Sequence, residues 1–135
     1  MSYSIIRRLL ETQINSVSVG FSTAWENVPF TPTIGTPWQA ITLLPSKTDN
    51  PTFGDGFRRE SGILQISLYY PTNQGSQAAY ARAGVLIGAF VRGSTFIQDA
   101  IRILVDEHPY IGPAFNNGAW FMVPVSIPFI ADIQG

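Results

Sequence analysis

The chain has 135 residues, 45% of them hydrophobic and only 13% charged, with a net charge of −1 and no cysteine. That length suits one domain, 1–135, with a core of its own. The composition excludes disulfides, thiolate metal sites and thiol nucleophiles, and a chain this close to neutral, with no basic run, is not built to bind nucleic acid as an isolated subunit.

The charged share is about half of the roughly 25% typical of soluble domains. So much apolar sequence in a small chain points to surface that a partner covers. Lys47 is the only lysine, and the other basic residues are arginines, the cation favoured at interfaces for its planar, bidentate geometry. Apolar stretches are broken by glycine, proline or charge before the ~18 residues a membrane helix needs. Arg7 and Arg8 sit inside an amphipathic pattern, so the N-terminus does not read as a signal peptide.

In chain order, Ser2 can cap a helix running to about Asn15, because Ile5, Ile6, Leu9, Leu10 and Ile14 recur at helical spacing. Val17 to Phe21 alternates and predicts a strand. Pro29, Pro32, Gly35 and Pro37 then force a loop. Trp38 to Leu44 predicts a strand that Pro45 ends. Polar residues with Pro51, Gly54 and Gly56 predict a long loop or hairpin arm at about 45–61. Phe53 and Phe57 argue against plain disorder there, since disordered segments are poor in aromatics.

Gly62 to Tyr70 alternates as a strand. Gln74 to Arg92 predicts a second helix, narrow because of its alanines and glycines, with Leu86, Ile87 and Phe90 as its contact to a sheet. Ile101 to Val105 is a strand, Asp106 to Gly118 a loop, and Ala119 to Ile133 a long last strand with Phe121, Val123, Val125, Ile127, Phe129, Ala131 and Ile133 on one face. Pro124 and Pro128 are four residues apart, so their missing N–H groups point the same way. A central strand needs those donors, which predicts a sheet edge on that side. The fold class is α+β: a mainly antiparallel or mixed sheet of four to five strands with two helices packed on one face.

The catalytic inventory is thin. His108 is the only histidine, and no nucleophile-elbow pattern supplies a serine to it. Asp106-Glu107-His108 is a contiguous triplet without chelating spacing. Gly54-Asp55-Gly56 lacks the lysine of a phosphate-binding loop and reads as a turn. The sequence therefore predicts no enzyme, no catalytic residues, no cofactor and no metal. Loop aromatics and arginines stand out instead: Phe53, Phe57, Arg58 and Arg59 in one loop, Tyr110, Phe115 and Trp120 around another. Such residues dominate the energetic centres of interfaces.

Three segments in order, TAWENVPFTPTIGTPWQAITLLPS (Thr23–Ser46), NPTFGDGFRRESGILQISLYYP (Asn50–Pro71) and GAWFMVPVSIPFIADI (Gly118–Ile133), follow the amphipathic opening helix. This combination resembles the tail terminator, or tail completion, proteins of long-tailed bacteriophages. The resemblance implies an α+β virion subunit, assembled in the host bacterial cytoplasm, that forms a homo-oligomeric, hexameric ring at the head-proximal end of the tail. Such a ring caps the tail tube, stops its polymerisation and presents a surface to the head completion or connector protein. DNA only passes through its lumen, and no membrane is involved. Beside that family, the residues nominate interface positions: Phe53 and Phe57 as anchors, Arg58 and Arg59 as charge partners, and Pro124 and Pro128 as markers of a free edge. The competing expectations are another neck or head–tail joining protein and, from a different class, a small-molecule-binding module or hydrolase.

Overall fold

The computed structural model describes residues 2–46 and 57–134. Their order is α1 (Ser2–Ser16), β1 (Ser22–Ala24), β2 (Trp38–Pro45), β3 (Phe57–Pro71), α2 (Gln77–Ala89), β4 (Thr95–Gln98), β5 (Ile101–Leu104), β6 (Tyr110–Ile111), β7 (Phe115–Asn117) and β8 (Trp120–Gln134).

Helix α1 forms as its spacing requires. Ile6, Leu10 and Ile14 fall every four residues and are fully buried, while Arg8 and Thr12 face water. Its end tightens through Val17 N–H to Ile14 O and Ser18 N–H to Asn15 O, which satisfies two of the last carbonyls. That exit consumes the segment expected to be a strand. Val17 to Phe21 is a turn closed by Phe21 N–H on Ser18 O, with Gly20 at φ 78°, and the strand begins only at Ser22.

The strands join one sheet of eight, in the order β1-β2-β3-β8-β5-β4, with β6 and β7 also on β8. Only β1–β2 is parallel. The α+β class holds, but the expected four to five strands are too few. The missing ones are short: β6 has two residues, β1 and β7 three each and β4 four, too few to show a period of two.

Odd residues of β2 and β8 and even residues of β3 form the buried face. Ile41, Leu43, Leu64, Ile66, Leu68, Val123, Val125, Ile127 and Ala131 meet Ile6, Leu10 and Ile14 of α1 and Ala79, Ala83, Leu86 and Phe90 of α2 in one core. Both helices therefore cover the same face. Gln13 Nε2 of α1 donates to Ala89 O, closing the end of α2. The small residues of α2 divide by face: Ala79 and Ala83 approach the sheet, whereas Gly84 and Gly88 face outward, where a Cβ would meet nothing. Gly62 is needed for close approach, because a Cβ there would lie 2.8 Å from Leu44 O and 3.0 Å from the Phe129 ring of its cross-strand partner.

The edge expected at Pro124 and Pro128 is not there. Strand β8 is central and pairs with β3 over its full length. The two prolines do share one side of β8, but that side is not an outer edge. Pro124 O accepts from Gly112 N–H at 2.9 Å, so both prolines turn their donorless nitrogens away from β3. On that side β8 meets three short partners in succession: β7 opposite 120–122, β6 opposite 125–126 and β5 opposite 130–133. Pro128 falls in the gap between β6 and β5. Pro124 falls at the end of β6, where Gly112 donates and needs nothing in return. The prolines mark breaks between partners, not an outer edge.

Candidate assembly surfaces

The face of the sheet away from the helices carries an aromatic group at one end. Trp38 opens β2, and its register partner on β3 is Tyr69. Their rings stack at 4.0 Å and 7°. Trp120 of β8 meets Trp38 edge-on at 6.0 Å, and Phe30 of the preceding loop lies at 5.1 Å. All four are half-buried, and Trp38 Nε1 is buried without a hydrogen-bond partner among the described residues. Burial raises the Tyr69 hydroxyl above its ordinary value of 10.0, and also that of Tyr70, where Arg82 partly opposes the rise.

Behind this group Arg82 ties three elements together. From α2 it donates through Nη1 to Val17 O at 2.7 Å and through Nη2 to Ser18 Oγ at 2.6 Å and Gln39 Oε1 at 3.3 Å, with its guanidinium 4.5 Å over the Phe21 ring. Gln39 is itself fully buried and donates to Ser18 Oγ and Thr23 Oγ1. Burial lowers the Arg82 pKa from its ordinary value, and Tyr70 opposes that.

The far end of the same open face holds Arg59 and Asp132, cross-strand partners joined at 2.7 Å. Arg102 of β5 is opposite Asp132 on its other side. Of the interface positions nominated from sequence, Phe53 lies outside the described residues. Phe57 and Arg58 open β3, paired with Gln134 and Ile133. Arg59 thus meets an acid of its own chain, and Pro124 and Pro128 are buried within the sheet.

Outward-facing apolar residues lie elsewhere. On α2, Tyr80, Ala81, Gly84, Val85 and Gly88, followed by Val91, are exposed and none is charged; the helix's only charge, Arg82, turns inward. Tyr110, Ile111 and Phe115 are exposed on β6 and β7. The sequence does not show which way Arg82 turns. The Trp38–Tyr69 stack needed the strand register, which no local pattern supplies.

Chemistry-bearing groups are sparse. Among the described residues no three of His, Asp and Glu gather as metal ligands. His108 is exposed. A cleft of about 630 Å³ lies along Arg7, Glu11, Trp25 and Glu26, and another of about 400 Å³ along Pro45, Ser61, Asp106, Tyr110 and Phe129. Among the described residues no helix is long and apolar enough to cross a membrane.

A family model described as phage tail terminator protein matches residues 5–129. The chain belongs to the phage tail terminator family. The match takes in most of α1, all of α2 and the sheet as far as Phe129 of β8, and the family is one of structural phage tail proteins. No curated protein matches the sequence. Among solved structures, one with 24% sequence identity superposes with a TM-score of 0.81, covering 100% of this chain and 97% of that one. This likeness concerns the fold. As a tail terminator family member the chain is a phage structural component, and its exposed apolar surfaces are read in that setting.

Proposed function

We propose that this chain is the subunit of a ring, hexameric in the closed form, that caps the phage tail tube, terminates its polymerisation and presents the surface to which the head completion protein joins. DNA passes through the ring lumen without being read. The observation that carries this reading is the family match over residues 5–129.

The surface of α2 supports self-association. A helix flanked by water on one side ordinarily places charge there, and this one does not. Gly84 and Gly88 each cost roughly 1 kcal/mol relative to alanine in a helix interior, and a Cβ at either would meet nothing among the described residues. In a ring they let a neighbour lie close against the helix, with Tyr80, Val85 and Val91 around the contact.

Val85→Asp tests this. The side chain is 49% exposed, so subunit stability should change by less than about 0.5 kcal/mol. A carboxylate desolvated at the contact should weaken ring formation at least tenfold. Light scattering across a concentration series, on the free protein and on protein mixed with tail tubes, reads the association, and a thermal melt reads the fold. Unchanged rings would remove α2 from the interface. Rings that bind head connectors and not tubes would instead favour a neck protein.

A further inference from the structure

The sheet has two outer margins, and they are finished differently. Ser46 N–H donates to Ser61 O across the β2–β3 ladder. Even-numbered residues of β2 therefore point their backbone groups at β3, and odd-numbered ones point outward. Along that outward row, β1 covers residues 38–40. Beyond β1 the outward row runs through Ile41 to Leu43, whose N–H donates to Glu26 Oε1 at 3.1 Å. The next outward position is Pro45, which has no N–H to offer.

Glu26 is held in place by Arg7, whose Nη2 lies 2.7 Å from the same Oε1. Glu11 joins Arg7 from one helical turn on, at 3.5 Å. These two carboxylates outweigh the effect of burial and raise the Arg7 pKa. Beside the bracket, Leu10, Ile41, Leu43 and Leu64 line a shallow apolar recess. A side-chain carboxylate, a proline and a charged rim are the devices by which proteins close a strand edge to further pairing.

Among the described residues the opposite margin, β4, carries none of these three devices. Val105 N–H donates to Ser94 O, so residues 94, 96 and 98 face β5, and Thr95 and Ile97 turn outward. The strand TFIQ contains no charge and no proline, and Ile97 is 65% exposed. The two margins lie at opposite ends of one sheet. If β4 of one copy were to add to β2 of the next, the contact would be head-to-tail, and it would repeat as an open filament wherever its rotation did not close a ring.

We propose that Glu26, clamped by Arg7 on the Leu43 N–H, closes the β2 edge against strand addition by β4 of a second copy of this chain, and so prevents open-ended sheet polymerisation. This goes beyond the ring reading and does not depend on it, since it concerns what the subunit must avoid in any assembly.

The test compares Glu26→Ala, Glu26→Gln and Arg7→Met by sedimentation velocity over a concentration series, with amide exchange at Leu43. Glu26→Ala should form species that grow with concentration, at least tenfold more self-association than the parent, and the Leu43 amide should be protected only in the polymer. Glu26→Gln keeps an acceptor oxygen and should match the parent. Arg7→Met leaves the carboxylate untethered and should fall between them, which keeps the test open if Glu26→Ala does not fold. Adding Ile97→Lys to Glu26→Ala should abolish the polymers, whereas aggregation from simple misfolding would persist. The proposal is overturned if folded Glu26→Ala and Arg7→Met sediment as the parent does, if Glu26→Gln polymerises as Glu26→Ala does, or if Ile97→Lys leaves the polymers intact.

Discussion

Phe90→Ala should cost about 3–5 kcal/mol of subunit stability. Phe90 is fully buried where α2 ends, and its ring lies 5.8 Å from that of Phe96 on β4. It is the largest fully buried side chain of the core, and it stands where the helix layer meets the outermost strand. Truncation leaves a cavity that Leu86, Ile103 and Val105 cannot fill without moving backbone that the sheet holds fixed. Domains of this size have about 5–15 kcal/mol in total. A folded but crippled subunit, melting about 10–20 °C lower, is the expected result. Differential scanning calorimetry measures it, and Phe90→Leu should lose markedly less. A loss within ~1 kcal/mol for alanine would mean that the α2–β4 junction is not the packed core described here.

Arg82→Met comes second, with an expected loss of about 2–4 kcal/mol. The replacement keeps the length of the apolar stem and removes a guanidinium that serves Val17 O, Ser18 Oγ and Gln39 Oε1. The cost is dominated by what is left behind. Gln39 has no exposed surface, and an orphaned buried acceptor costs about 1–3 kcal/mol. Lysine should not rescue it, because one ammonium cannot reproduce the fork that spans three acceptors. The damage should be local first. Hydrogen exchange should quicken at residues 17–24, where the α1 exit and β1 depend on this knot, before the β3–β8 pair is affected. Uniform exchange across the sheet would show that Arg82 is only one more surface cation.

These two sites differ in how much of them the sequence carried. Phe90 was legible as a helix contact from spacing alone, as were Ile6, Leu10 and Ile14 and the odd residues of β8, because a continuous period leaves a signature that packing then obeys. Arg82 was not, since the direction of one arginine on a narrow helix depends on what lies beneath it. The hairpin of β4 and β5 was half seen. Its turn at Asp99, with φ 55°, uses no glycine, so nothing announced the reversal. Pro124 and Pro128 were read correctly for direction and wrongly for place: a strand can be central and still lack a continuous neighbour. The Glu26 bracket on Leu43 has no local signal, because it joins residues 17 apart through a backbone donor. The candidate surfaces suffered in the same way. Residues 53–59 stand out in the sequence by their aromatics and arginines and lie partly outside the described residues, and the outward apolar helix face and the Trp38–Tyr69 stack emerge only once register and burial are known.

The proposed function is that the chain caps tail tubes as a ring. Purified protein mixed with tail tubes and viewed by electron microscopy tests it most directly. The expected result is a ring at one end of each tube, six subunits around the axis, and no further elongation when tube subunits are added. Tubes that stay bare and continue to lengthen at saturating protein would contradict it.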